Sequence, residues 1–155
     1  MKRRPIRVYA DTSVFGGVFD KEFMNPSRMF FDQVKSGKFR LVTSAVVEKE
    51  IALGPLNVQS LFLEQIKTAE KCPVSDEGIA LRNAYIKAGI VDVKSIDDAL
   101  HVALATISGC GLIVSWNFKH IVNFQKIPLY NSVNGKRGYH AISIYSPLEV
   151  IESEE

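Results

Sequence analysis

Short, wholly apolar runs alternate along the chain with longer stretches in which apolar positions recur every three or four residues, the rhythm of strands and helices. Ile6 to Ala10 is β-branched and aromatic and predicts a strand, and Gly16-Gly17 turns the chain out of it. Asn25-Pro26-Ser27 supplies capping and first-turn residues for a helix with Met29, Phe30 and Val34 on its apolar face, stopped by Ser36-Gly37. Phe39 to Thr43 predicts a second strand, and Ser44 caps a helix from about Ala45 to Leu53 that Gly54-Pro55 ends. Leu56, Leu61, Leu63 and Ile66 suggest a further helix, closed by Pro73. Ser75-Asp76-Glu77 opens another that runs to Gly89, and Val91 to Lys94 reads as a linker.

Ser95 to Ser108 carries the clearest periodicity: Ile96, Ala99, Leu100, Ala103, Leu104 and Ile107 share one face. Val102 and Ala105 occupy the other side, so this helix is expected to be buried nearly all round. Leu112 to Val114 predicts a short buried strand ending at Ser115-Trp116-Asn117, and Phe118 to Asn123 a short helix. A tail then holds a turn at Gly135, a strand near Ala141 to Tyr145, and a helix start at Ser146-Pro-Leu-Glu149 that matches a capping box. Short apolar strands alternating with helices predict a three-layer α/β/α sandwich around a short, mostly parallel sheet. In such sheets function gathers at the carboxyl ends of the strands.

Composition narrows the class without naming a chemistry. The 155 residues, 46% hydrophobic, fit a single domain over 1–155. A net charge of +2 gives no bulk field for nucleic acid, although the start, Met-Lys-Arg-Arg, places three cations in an arm that reads as a solvated tail. Cys72 and Cys110 stand in no metal-binding or disulfide spacing and read as core residues or free thiols. No run of about 18 apolar residues predicts a membrane span, and the N-terminus has no signal-peptide pattern. A cytoplasmic location is the expectation.

Acid and amide groups fall at four places where they can converge. Asp11 closes the first strand with Thr12 and Ser13 behind it; Glu48 and Glu50 follow the second; Asp97 and Asp98 open the buried helix; Asn117 closes the Leu112–Val114 strand. With parallel strands all four lie near one edge of the sheet, where clustered carboxylates repel unless protons or hard cations neutralise them. Each also has a plain structural reading. Asp11 suits an Asx-turn or an N-cap. Ser95 and Asp98 match a capping box. Glu48 and Glu50 suit a solvated helix face and are not told apart by periodicity. Asn117 suits a turn, and His101 and His120 suit satisfied core or surface positions. The joint placement of the acids at strand ends is what favours a site.

With those residues in place, the chain resembles the PIN domain, the metal-dependent nuclease fold of VapC-type toxins, over about residues 6–124. "YADTSVFGG" resembles the family's first motif, "TSAVVEKEI" the second, "SIDDALHVALAT" the third and "LIVSWNFKHIVN" the fourth. The resemblance assigns Asp11, Glu50, Asp98 and Asn117 as catalytic, the three acids as ligands of Mg²⁺ or Mn²⁺, and Thr12, Ser13, Ser115 and Asp97 as their supports. His120 stands where the family often has a fourth acid. The extension from about 125 to 155 is expected to add an edge strand and a closing turn.

By resemblance the activity is metal-dependent cleavage of single-stranded RNA leaving a 5′-phosphate, with an antitoxin protein and a second copy of the chain as partners. Lys49, Lys119, Arg82 and Lys136-Arg137 are candidates for backbone contacts. Trp116 reads equally as a base-stacking platform or as core. Two other readings compete: a PIN fold that binds RNA or protein without efficient chemistry, and a phosphotransfer domain with Asp11 as nucleophile.

Overall fold

The computed structural model describes residues 4–151, so the first three residues of the cationic arm lie outside the described residues. Five strands, β1 (Ile6–Ala10), β2 (Phe39–Ser44), β3 (Glu70–Cys72), β4 (Leu112–Val114) and β5 (Ser143–Tyr145), form one sheet in the order β3-β2-β1-β4-β5. Every pairing is parallel, so the mostly parallel sheet expected from sequence is wholly parallel.

Helices α1 (Thr12–Gly17) and α2 (Met24–Lys35) connect β1 to β2, and α3 (Ala45–Ala52) and α4 (Leu56–Gln65) connect β2 to β3. Helix α5 (Asp76–Lys87), a 3-10 turn (Val93–Ser95) and α6 (Ile96–Ile107) lead to β4; α7 (Ile127–Lys136) leads to β5, and α8 (Pro147–Val150) follows. Parallel crossovers are right-handed, so connections travelling outward to β3 lay their helices on one face and those returning past β1 lay theirs on the other. The packing agrees: α1 meets α2, α3 and α4, and α2 meets α8, whereas α5 meets α6 and α7. The order of the strands reverses between β1 and β4, and that switch point opens a crevice at their carboxyl ends.

The core is centred on β1 and β4, where Val8, Tyr9, Ala10, Ile113 and Val114 are fully buried. Each large apolar side chain so buried contributes roughly 1.5–3 kcal/mol. Helix α6 is buried continuously from Ala99 to Thr106, as its two-sided apolar pattern predicts. Ser44 caps α3 by accepting from Val47 N, Ser75 caps α5 by accepting from Gly78 N, and the capping box at Ser146 and Glu149 is formed.

Four local expectations are corrected. The segment after β1 is a short helix, α1, rather than a turn at Gly16-Gly17. Phe118–Asn123 is a turn and not a helix: the Asn117 side chain takes His120 N–H (2.9 Å), and the Asn117 carbonyl is shared by the amides of Ile121 and Val122, so the turn closes on Asn117 without propagating as a helix. Glu70–Cys72, which carries no apolar pattern, is an edge strand held through its backbone and through Glu70, which accepts from Arg7 Nε (2.9 Å) and Arg40 Nε (3.2 Å). Gly135 lies inside α7, a helix whose buried Tyr130 and Asn134 tie it to the core. Both cysteines are free thiols, and burial pushes Cys72 up to about 11.

Candidate active site

Asp11 occupies the N-cap position of α1, yet its side chain caps nothing. It is 4% exposed, and both carboxylate oxygens accept from serines: Ser13 Oγ reaches Oδ1 at 2.5 Å and Ser115 Oγ reaches Oδ2 at 2.7 Å. Register brings this about, because Ala10 pairs with Val114 and so sets Asp11 beside Ser115, one residue past each strand. The same hydroxyls also accept, Ser13 Oγ from Trp116 N across the strands and Ser115 Oγ from Asn117 N two residues along its own segment, both at 2.9 Å. The hydroxyls around Asp11 therefore lock the ends of β1 and β4 together, and the capping explanation of Asp11 does not hold.

Glu50, on α3, enters the cluster from the side. Its Oε1 accepts from Thr12 Oγ1 (3.0 Å) and from His101 Nε2 (2.5 Å). Glu48 points elsewhere and pairs with Lys71 of β3 at 2.9 Å, so the structure separates two acids that periodicity could not. Asp98 lies in the first turn of α6, half-buried, near the Asn117 side chain, which favours its charged form. Ser95 precedes α6 without capping it, so the capping box anticipated for Asp98 is not formed. Asp97 is exposed and faces a neighbouring pocket of about 310 Å³ lined also by Lys49, Glu50, Leu53, Val74 and Leu100. A larger pocket, about 690 Å³, lies between α2 and α4 and contains none of these residues.

The electrostatics follow from burial. Desolvation raises Asp11 above the usual carboxyl value, with Glu50 adding to the rise and His101, Ser115 and Ser13 opposing it. Desolvation also raises Asp98, with Asn117, His120 and His101 opposing and Glu50 adding. Burial would raise Glu50 too, but its bond to His101 and the charge there outweigh burial and bring it below the usual value. For His101, burial pulls downward, and the hydrogen bond to Glu50 with the charges of Asp11, Glu50 and Asp98 reverses it, so the imidazole is raised. One imidazole thus faces three carboxyl groups that burial leaves poorly solvated. No three of the Asp, Glu, His or Cys side chains among the described residues stand close enough, as placed, to grip one metal ion.

The remaining candidates divide. Trp116 is not available as a platform for a base: it is 9% exposed, stacks on Phe23 with ring centroids 4.3 Å apart, and donates from Nε1 to Ser27 Oγ at 2.8 Å. Lys49 and Lys119 are exposed beside Glu50 and Asn117 respectively. Arg82 bonds Asn83 on α5. Lys136 and Arg137 end α7, next to Gly138 and Tyr139, which line a pocket with Gly109 and Gly111 just before β4. That places them at the amino edge of the sheet, opposite the cluster. His101 is the residue that sequence reasoning under-read. Its signal was three positions beyond Asp98 on the same helical face.

No protein-family model matches the chain, and no curated protein matches it. Solved structures do. VapBC2 from Rickettsia felis, bound to a DNA fragment from its promoter, shares 12% identity at a TM-score of 0.57, covering 89% of this chain and 96% of that one. FitAcB from Neisseria gonorrhoeae shares 14% identity at a TM-score of 0.56, covering 92% and 99%. VapC20 from Mycobacterium tuberculosis, described as a sarcin-ricin loop cleaving toxin, shares 11% at 0.51, covering 88% and 98%. The chain has the PIN-like fold of these structures, with its five-stranded parallel sheet flanked by helices.

Proposed function

We propose that this PIN-fold chain is a metal-dependent endoribonuclease that cuts single-stranded RNA at the cluster of Asp11, Glu50 and Asp98, and that it acts as the toxin of a toxin–antitoxin pair. The observation that carries the reading is the convergence of three carboxyl groups, from the end of β1, from α3 and from α6, on the His101 imidazole at the switch point of the sheet. The toxins that share the fold support a nuclease held in check by a protein partner.

The donor set fits a hard cation. Asp11, Glu50 and Asp98 offer only oxygen, and carboxylates that burial desolvates gain from a cation's charge. Mg²⁺ is commonly held by one or two carboxylates with waters completing its octahedron, so a cage of three side chains is not required. Asp11 and Asp98 would hold the ion, with Glu50 bearing on it directly or through water. When bound, Mg²⁺ or Mn²⁺ supplies Lewis acidity, acidifying a water and stabilising the leaving oxygen of an in-line displacement.

The chain's own groups do the remaining work. Ser13 and Ser115 fix the Asp11 carboxylate and the backbone of Trp116 and Asn117 in one arrangement. Asn117 favours the charged form of Asp98. Thr12 and His101 hold Glu50 toward the cluster. Lys49 and Lys119, exposed on either side, contact the phosphodiester backbone. The phosphotransfer reading is disfavoured because Asp11 is followed by Thr12 and Ser13, without the second aspartate two positions on that phosphatases of that kind usually carry.

A second reading, an RNA- or protein-binding PIN fold without efficient chemistry, is favoured by one observation: His120 stands where a fourth acid is common, and its Nδ1 is buried without a partner. Incubating labelled single-stranded RNAs with the purified protein in Mn²⁺, Mg²⁺ or EDTA separates the two. Cleavage in Mn²⁺ or Mg²⁺ that EDTA abolishes supports the nuclease. Retention of RNA without cleavage in any of the three supports the binding module.

A further inference from the structure

Behind the carboxylates runs a hydrogen-bonded chain that the proposed chemistry does not itself require. Ser44 Oγ meets Tyr9 OH at 2.8 Å, Tyr9 OH meets His101 Nδ1 at 2.7 Å, and His101 Nε2 meets Glu50 Oε1 at 2.5 Å. Ser44, Tyr9 and His101 are each at most 1% exposed. The path begins at the N-cap of α3 and returns to α3 at Glu50, after passing through β1 and α6. It therefore closes a loop that fixes Glu50 relative to the strand carrying Asp11 and the helix carrying Asp98.

Proton accounting gives the chain a direction. A carboxylate only accepts, so His101 carries a proton on Nε2 where it faces Glu50. With the imidazole neutral, Nδ1 accepts from Tyr9 OH and the Tyr9 oxygen accepts from Ser44, so each hydroxyl donates toward Glu50. Such a buried polar chain is not needed to fill space. Phenylalanine and leucine in place of Tyr9 and His101 would occupy the same volume, and replacing both partners of a buried polar contact by apolar groups is close to neutral for stability. What the apolar pair would lose is the grip on Glu50, a flexible side chain at the mouth of the crevice that is costly to immobilise.

We propose that Tyr9 and His101 form a buried strut that positions the Glu50 carboxylate and thereby sets how tightly the site holds a divalent cation. This rests on the reading of the cluster as a metal-dependent site. Both act through Glu50 and are positioning residues.

The test is calorimetric titration of Mn²⁺, without RNA, into the wild type, Tyr9→Phe, His101→Leu and His101→Gln, with urea unfolding of each in EDTA. The expected result is a loss of Mn²⁺ affinity of about 10-fold for Tyr9→Phe and about 10–100-fold for His101→Leu. His101→Gln should keep most of the affinity, because its amide N–H still donates toward Glu50. Should His101→Leu fail to fold, Tyr9→Phe, which keeps the ring, carries the test. Variants that bind Mn²⁺ as the wild type does, while unfolding at lower urea in EDTA, would reduce the strut to core packing and overturn the inference alone. A wild type that binds no Mn²⁺ would overturn the metal-dependent reading, and the strut with it.

Discussion

Asp11 and Asp98 are held with their charge in surroundings that disfavour it, desolvation raising both. Without a cation, Asp11→Asn relieves the desolvated charge but sets an amide NH2 where a serine hydroxyl donates, so stability at pH 7 should change by less than about 1 kcal/mol while cleavage falls at least about 100-fold. Urea unfolding in EDTA and an RNA cleavage assay on the same preparation check both. The pH dependence has a definite sign. The raised His101 contributes stability that is full below its ordinary value of 6.5 and is lost as pH rises through its higher folded value. The difference in unfolding free energy between wild type and His101→Gln in EDTA should accordingly shrink as pH rises from about 6 to 9. A constant difference across that range would contradict the assignment. At this scale the sequence identified Asp11 and the Asp97-Asp98 pair but could not choose between Glu48 and Glu50. The choice depends on Lys71 and His101, partners more than 20 and more than 50 positions away.

The elements around the site are held by close packing as much as by hydrogen bonds. Gly17, at the end of α1, has no room for a β-carbon: one placed there would lie 2.5 Å from Ser27 Oγ and 2.8 Å from Trp116 Nε1. Gly17→Ala should therefore displace Trp116 from Ser27 and Phe23, destabilise the fold by roughly 1–3 kcal/mol and move the emission of the chain's single tryptophan to longer wavelength. Elements with strong patterns, β1, β2, β4 and α6, were legible in the sequence because the pattern itself drives their burial. β3 was not, since a short edge strand of Glu-Lys-Cys needs only backbone pairing with β2 and the Arg7 and Arg40 partners of Glu70. α7 was obscured by Asn131, Ser132, Asn134 and Gly135, weak helix formers. Its hold comes from tertiary bonds, Tyr130 OH to the His120 carbonyl at 2.8 Å and Lys126 Nζ to the Ile90 carbonyl at 2.6 Å.

Over the whole molecule, the segment after residue 124 proves to be more than an appendage to the four motifs. β5 covers the open side of β4, Ser115 N–H donates to the Tyr145 carbonyl at 3.1 Å, and Tyr130, Ile142 and Ile144 are buried. A chain ending at residue 124 would leave β4, the strand that delivers Ser115 and Asn117, as a bare apolar edge. Such a truncation should be recovered as aggregate, without the cooperative unfolding transition of the full chain. The parallel sheet and the gathering of acids at its carboxyl edge followed from alternating elements alone. The switch point that joins Asp11 to Ser115 required the strand order, and that is set by long crossovers that local pattern does not encode.

The measurement that bears most directly on the account is cleavage of a labelled single-stranded RNA in Mn²⁺ by the wild type, Asp11→Asn, Glu50→Gln and Asp98→Asn, prepared identically, with the chemistry of the product ends determined. The wild type should cut and leave 5′-phosphate ends, Asp11→Asn and Asp98→Asn should not cut, and Glu50→Gln should be strongly reduced. Equal cleavage by all four preparations, or products ending in 2′,3′-cyclic phosphate, would contradict a metal-dependent carboxylate site at the switch point.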